Sequence, residues 1–358
     1  LTQDLEQAQV VLINTCAFIE PAVEESVQTI LEVAADIAEL PARPLLVVTG
    51  CLVPRYAPDI KSQLPEVDLW LSLHEQHNWA FYLNKALKTQ LLAEKKRILS
   101  TPAGTAYLKI SEGCNHKCKF CTIPWLRGPL RSRSIQDITQ EATWLIENNV
   151  QEITLIAQDL TAYGQDLGLR NGLISVLENL LPLDGLKWLR LLYLYPAGLN
   201  TEVLSFLSQC GPPLLPYLDI PLQHAHPEVL KNMGRPFANN PHKVVDRVRE
   251  FLPGAALRST LIVGYPGETN KAFDTLLDFV ARVRFHNLGV FCFYPEQGTR
   301  AALLNDQIDR ETKQKRQQEI MNLQAGISSE ILSAYPGKSE TILVDSPPPE
   351  WTTLYQGR

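Results

Sequence analysis

The stretch AYLKISEGCNHKCKFCTIPWLRGPLRSRS, residues 106–134, decides how the chain reads. Ala106 to Ser111 alternates in character and predicts a strand. Gly113 breaks it, and Pro124, Gly128 and Pro129 keep the next segment irregular. In that loop stand three of the seven cysteines, Cys114, Cys118 and Cys121, spaced C-x3-C-x2-C. A closed zinc site takes four protein ligands, and an ordinary cubane cluster takes four cysteines. No fourth cysteine lies nearby, and His116 is the local substitute. Two readings follow: a cluster with three anchored irons and one left open for a ligand, or a three-cysteine zinc knuckle completed by His116. The first is preferred, because zinc sites usually show C-x2-C pairs.

With the aromatic Phe120 before its last cysteine, the pattern resembles the signature of the radical S-adenosylmethionine (SAM) enzymes. The resemblance implies that SAM chelates the open iron of a 4Fe-4S cluster through its amino and carboxylate groups. An electron from the cluster then splits the sulfonium to give a 5'-deoxyadenosyl radical.

The chain's 358 residues suffice for two domains, and an apolar fraction of 45% is ordinary for a protein with sizeable cores. No apolar run reaches the roughly 18 residues that span a bilayer. The start, LTQDLEQAQ, has no signal-peptide pattern. It also lacks an initiator Met, so the true start is expected to lie further upstream. A formal charge of −6 argues against nucleic-acid binding over the whole surface. Locally, Lys109, Lys117, Lys119, Arg127, Arg131 and Arg133 face only Glu112. Such cations offset a thiolate-ligated cluster or recognise an anion. Seven cysteines without secretory features point to reduced thiols in a cytoplasmic protein.

Before the cysteine loop, Gln9 to Asn14 and Pro44 to Thr49 are apolar runs of the kind found in strands covered on both faces. Val67 to Leu71 is a shorter strand, and helices are expected at Pro21 to Leu40 and Glu75 to Leu87. Strand and helix in alternation imply a parallel, doubly wound, flavodoxin-like sheet over residues 1–90. Cys16 and Cys51 each follow one of its strands, at the edge where open α/β sheets bind ligands. This stretch resembles the N-terminal domain of the methylthiotransferase branch of the radical SAM enzymes. There three cysteines hold an auxiliary 4Fe-4S cluster, so the resemblance implies Cys16, Cys51 and a third cysteine before Leu1 as its ligands.

Polar residues 91–104 form a linker, and residues 105–335 a second domain. After the cysteine strand, strands are expected at 152–157, 188–193, 217–220, 258–263 and 288–293, with helices between them. Six βα units fall short of the eight-stranded barrel. They suit the open (βα)6 partial TIM barrel that radical SAM enzymes share. Barrel logic places chemistry in the loops after strands. Gln158, Gln223 and Arg258 are therefore candidate SAM contacts by position, and LIVGYPGE, with Gly264 and Gly267, resembles the family's adenine-contacting motif. His224 and His226 read as hydrogen-bonded strand-end residues, and Cys210 and Cys292 as structural thiols. Asp309 to Tyr335 predicts a helix packed through Ile320, Leu323, Ile327 and Ile331, with its charges forming a solvated face. Residues 336–358 resemble the incomplete beginning of a TRAM β-barrel, with a strand over Gly337 to Val344 and a break at Pro347 to Pro349.

The resemblance runs from Val10 to Val344. RGPLRSRSIQDI and LIAQDLTAYGQDL are similar to the branch that modifies an aspartate of the small-subunit ribosomal protein numbered twelve (the RimO type). The transfer-RNA branch more typically reads Gly-Gln-Asn where this chain has Ala157, Gln158 and Asp159. By this resemblance one SAM methylates a sulfur on the auxiliary cluster. A second SAM yields the radical that removes hydrogen from the aspartate β-carbon, which then receives the methylthio group. An electron donor such as flavodoxin or ferredoxin and a sulfur source are implied. The alternatives are a transfer-RNA methylthiotransferase and a zinc- or cluster-binding interaction module without catalysis.

Overall fold

A computed structural model describes residues 2, 4–88, 97–237, 240–346 and 355–357. The first unit alternates strand and helix: β1 (Val10–Thr15), α1 (Glu20–Ala38), β2 (Leu45–Gly50), α2 (Leu52–Ile60), β3 (Leu69–Leu71) and α3 (Trp79–Leu87). Its described strands are parallel and lie in the order β1-β2-β3, one wing of a wound sheet. α2 is missed by the sequence reading because Pro54 and Pro58 look like breakers. Pro54 sits in the first turn, where a missing N–H costs nothing. Ile30, Ile37, Leu46, Val48 and Leu52 are fully buried in this unit's core.

The second unit holds the six expected strands: β4 (Thr105–Lys109), β5 (Glu152–Ile156), β6 (Trp188–Leu191), β7 (Leu214–Asp219), β8 (Ala256–Val263) and β9 (Asn287–Cys292). They form one open parallel sheet in the order β9-β8-β7-β6-β5-β4. Between them come α4 (Ile123–Arg127), α5 (Ile135–Glu147), α6 (Gly172–Leu180), α7 (Thr201–Gln209), α8 (Pro227–Met233), α9 (Pro241–Phe251) and α10 (Asn270–Val283). α4 and α8, of five and seven residues, are too short to show a helical period in sequence. Burial alternates along β8: Leu257, Ser259, Leu261 and Val263 are buried, whereas Ala256, Arg258, Thr260 and Ile262 are half-buried. The first set packs under the helices and the second lines the lumen.

The last helix, α11 (Arg310–Ser333), buries Ile320 and Ile327 and packs Leu323 and Ile331 against the core. Its polar side is not all solvated as expected, since Lys313, Arg316 and Gln324 are also buried. Gln317 Nε2 donates to Val290 O at 2.7 Å, and Gln324 Nε2 to Phe285 O at 2.8 Å. These amides cover the open edge at β9, which would otherwise invite strand pairing. The strand expected over Gly337 to Val344 starts only at Val344. Val344–Ser346 pairs antiparallel with Gln356–Gly357. Pro347 to Pro349 and residues 91–96 of the linker lie outside the described residues. Among the described residues no helix is long and apolar enough to cross a membrane.

Candidate active site

The cysteine loop leaves β4 through a short hairpin, Ser111–Glu112 against Arg131–Ser132. Gly113 has φ +81°, and a Cβ there would lie 2.1 Å from Pro129 O, so only glycine fits. Cys114 N donates to Gly128 O at 3.1 Å, and Cys121 N to Cys118 O at 3.2 Å. Between the cysteines, Lys119 N donates to Met233 O and its carbonyl accepts from Ala301 N, each at 3.0 Å. Thus α8 and the segment after β9 pin the loop from both sides. Phe120 is partly buried against a small core with Leu230, Met233, Tyr265 and Phe293.

The loop holds its thiols close enough to feel one another's charge. Burial pushes Cys121 up to about 12, and the neighbouring Cys118 and Cys114 add to this, while Arg235 opposes it. Burial likewise raises Cys114. Their ionisation therefore calls for a positive centre, and a bound iron cluster provides one. Arg235 Nη1 lies 3.3 Å from Cys118 Sγ, and its guanidinium stands 4.6 Å from the Tyr195 ring centre and 5.3 Å from that of Phe237. It donates also to Pro221 O. Nothing in the local sequence marks Arg235, which comes from the turn after α8.

His116 does not complete the cysteine set. Its Nε2 is 2.6 Å from Asp159 Oδ2, and its ring stacks on Tyr195 at 3.7 Å. Among the described residues no three His, Cys, Asp or Glu side chains gather tightly enough to hold a single ion. A zinc ion needs its sulfurs at about 2.3 Å, so the knuckle reading loses its fourth ligand and its geometry.

Around the mouth, Gln158 Nε2 donates to Glu112 Oε1 at 3.2 Å while its Oε1 is buried without a partner. Gln223 has φ +74° and continues the sheet through its backbone, and its Oε1 is likewise buried and unpartnered. Two orphaned acceptors at the carboxyl edge fit a ligand rich in N–H and O–H donors. Gly264, at φ +70°, is not open to a nucleoside as expected: a Cβ there would lie 2.2 Å from Lys313 Cγ. Its N–H donates to the buried Glu268 Oε2 at 2.9 Å, and Glu268 Oε1 takes Arg316 Nη1 at 2.8 Å. Gly267, at φ +78°, has open space instead. His224 is fully buried and accepts from His226 N at 2.9 Å, and burial pushes its pKa down. Its Nε2 stands 3.3 Å from Glu268 Oε2. Arg258, a candidate SAM contact by position, lies against Tyr217 and Asp219 in the lumen. The cation beside the cysteines is Arg235.

In the first unit Thr15 and Gly50 are paired in register, so Cys16 and Cys51 emerge side by side from β1 and β2. A Cβ on Gly50, at φ +98°, would lie 2.2 Å from Thr15 O, so the two strand ends can close only around glycine. Ser26 Oγ accepts from Cys16 N at 3.1 Å and donates to Cys16 O at 2.8 Å. Cys16 is exposed and Cys51 buried. The two units meet here. Arg55 of α2 pairs with Glu296, after β9, at 2.7 Å, and donates to Ala17 O at 2.6 Å. Glu296 Oε1 accepts from Glu20 N at 2.8 Å. Leu126 of α4, five residues beyond Cys121, is fully buried in the first unit's core.

An open parallel half-barrel carrying C-x3-C-x2-C at its carboxyl edge defines a radical SAM protein, and the signature of the Radical SAM superfamily matches residues 108–280. Residues 1–72 match the uncharacterized protein family UPF0004. The chain belongs to the RimO family of ribosomal protein uS12 methylthiotransferases. It is 51% identical over 357 residues to that enzyme of Oleidesulfovibrio alaskensis, across 99% of this chain and 83% of the relative. The Aquifex aeolicus enzyme is 40% identical over 359 residues, across 100% of this chain and 81% of the relative. Among solved structures, the radical SAM methyltransferase TsrM of Kitasatospora setae, with cobalamin and a 4Fe-4S cluster bound, gives a TM-score of 0.61. At 13% identity, across 82% of this chain and 63% of that one, the likeness concerns the fold. Membership of the radical SAM superfamily implies SAM and a 4Fe-4S cluster as cofactors.

Proposed function

We propose that this protein is a radical SAM methylthiotransferase that places a methylthio group on the β-carbon of an aspartate in ribosomal protein uS12. In this reading residues 105–335 carry the radical centre, with its cluster on Cys114, Cys118 and Cys121. Residues 1–90 carry an auxiliary 4Fe-4S cluster on Cys16, Cys51 and a third thiolate. When bound, the cluster and SAM supply the electron and the adenosyl radical that takes a hydrogen atom from the substrate carbon.

The chain's own residues bind and orient. Arg235, beside Cys118, would meet the SAM carboxylate with a forked cation. The free carbonyl oxygens of Gln158 and Gln223 would accept from the amino or hydroxyl groups of SAM. Asp159 holds His116 on Tyr195 and closes one wall against water. An electron donor such as flavodoxin or ferredoxin and a sulfur source complete the turnover.

The observation that carries the reading is the meeting of two carboxyl edges. Glu296, in the loop after β9, forms a buried ion pair with Arg55 of α2 and accepts from Glu20 N, while Arg55 donates to Ala17 O in the loop that bears Cys16. Group transfer between two centres needs them held at a fixed separation. The test is anaerobic reconstitution with iron and sulfide, followed by reaction of SAM and reductant with uS12 and, separately, with transfer RNA. Mass spectrometry should find a methylthio group on a uS12 aspartate. Product on transfer RNA alone, or SAM cleavage with neither product, refutes the assignment.

A further inference from the structure

We infer that Arg258 is the residue that recognises the carboxylate of the aspartate being modified, so that the lumen selects an anionic side chain. This rests on the methylthiotransferase reading above and names the substrate determinant of that same site. Tyr107, Thr154, Arg190, Tyr217, Arg258 and Asn287 line a cavity of about 480 Å³ inside the half-barrel. Two cations stand in it, and they differ in commitment. Arg190 Nε is bound to Glu152 Oε1 at 2.6 Å, and its guanidinium lies 4.8 Å from the Tyr217 ring centre. The ion-pair contact of Arg258 is Asp219 Oδ2 at 3.8 Å, too long for a hydrogen bond, and its side chain is 39% exposed. Apart from its contact with the Tyr217 hydroxyl, its fork of N–H donors therefore stays open to a ligand.

The head of Arg258 also stands at the right level. Asp219 Oδ2 accepts from Tyr193 N at 3.3 Å, and Tyr193 lies beyond the end of β6. The guanidinium beside Asp219 thus reaches the carboxyl edge, on the side of the sheet where the cysteine loop and Gln158 emerge. Tyr193 is itself 43% exposed with φ +60°, a conformation that costs energy outside glycine and gathers at binding sites. In the reading above the carboxylate of SAM goes to Arg235, which stands beside Cys118, and Arg258 is left unassigned.

The chemistry supplies the reason for a second cation. The carbon to be modified is one bond from the substrate carboxylate. An arginine binding both oxygens fixes that group, and with it the position of the β-carbon bonded to it. A neutral base such as adenine has no pair of anionic oxygens to match this fork, so Arg258 would favour the protein substrate over the nucleic-acid one.

The test uses reconstituted full-length protein, uS12, and uS12 with its target aspartate changed to asparagine. Wild type should prefer the aspartate substrate by on the order of 10- to 100-fold in kcat/KM, the range for a charge-assisted hydrogen bond. Arg258→Gln should lose that preference chiefly through KM, and Arg258→Lys should restore part of it. Iron content and thermal melting report folding, and 5'-deoxyadenosine release without uS12 reports SAM binding. Equal use of both substrates by wild type overturns the proposal, as does an Arg258→Gln enzyme that still prefers aspartate. Loss of 5'-deoxyadenosine release in Arg258→Gln places the residue at SAM and also overturns it. Wild type that never modifies uS12 refutes the parent reading instead, so the two failures are distinguishable.

Discussion

Replacing Glu296 by alanine should loosen the joint between the two units at a cost that the structure allows to be sized. The Arg55 and Glu296 side chains are 1% and 6% exposed, and their nitrogen and oxygen stand 2.7 Å apart. Removing one partner of such a pair strands the other charge away from water, which costs about 3–5 kcal/mol. Arg55 keeps its bond to Ala17 O, which offsets part of this, while Glu20 N loses its acceptor, which adds to it. A net loss of about 3–5 kcal/mol is expected, against less than about 1 kcal/mol for Glu330→Ala, whose pair with Arg284 is 68% and 45% exposed. Urea unfolding followed by circular dichroism and tryptophan fluorescence measures both, the two probes showing whether the units still melt together. The milder Glu296→Gln keeps an acceptor for Glu20 N, and it should raise the ratio of 5'-deoxyadenosine to methylthio product. A Glu296→Ala loss no larger than that of Glu330→Ala would refute the claim that this ion pair holds the joint.

Cys118→Ala should abolish SAM cleavage, whereas Cys210→Ala, at the end of α7, should leave it intact; anaerobic assay of 5'-deoxyadenosine decides. In the two-cluster reading proposed above, Cys51→Ala should lower the iron content of reconstituted protein from about eight to about four per chain while cleavage persists, since each 4Fe-4S cluster carries four irons. Gly50→Ala should give the same iron deficit without touching a ligand, because its Cβ would part Thr15 from Gly50. Acid should weaken the fold through His224, with His242 and His286 adding to it, since burial lowers all three. The unfolded chain takes up these protons near pH 6.5 and the native chain only further down. Stability is therefore full above about pH 6.5 and falls below it by up to about 1.4 kcal/mol per pH unit for the buried His224, and by less for the half-buried His242 and His286, which water screens. Stability unchanged between pH 7 and 5 would contradict this.

The strands were legible because their apolar runs are long and end at chemistry-bearing loops; all six of the half-barrel appear where the sequence places them. Cys16 and Cys51 were legible as a pair for the same reason, and the register of β1 with β2 sets them abreast. What the sequence hides is side-chain commitment. Lys313 and Arg316 look like solvated charges on a polar helix, but Lys313 closes over Gly264 and Arg316 neutralises Glu268. Gly264 therefore keeps its left-handed backbone for a packing reason, and the same motif at Gly267 stays open. Arg235 and Arg258 are ordinary arginines in sequence. Only tertiary contact puts one at Cys118 and the other in the lumen.

The way the units are joined ties the fold to the proposed chemistry. A linker alone would let two domains drift, since relative motion is the default when few contacts cross. Here the cysteine loop is itself part of the joint. Leu126 sits in the core that also packs Cys51, and Glu296 reaches the turn after Cys16. Displacing the first unit must therefore displace α4, and α4 begins two residues after Cys121. The separation between the cysteine sets is thus set by buried apolar packing on one side and a buried ion pair on the other. Leu126→Ala should consequently act twice. Emptying a fully buried leucine site costs about 2–5 kcal/mol, and the slackened α4 should raise abortive SAM cleavage relative to methylthio transfer. Destabilisation with an unchanged ratio of the two products would show that the joint supports the fold without setting the distance between the centres.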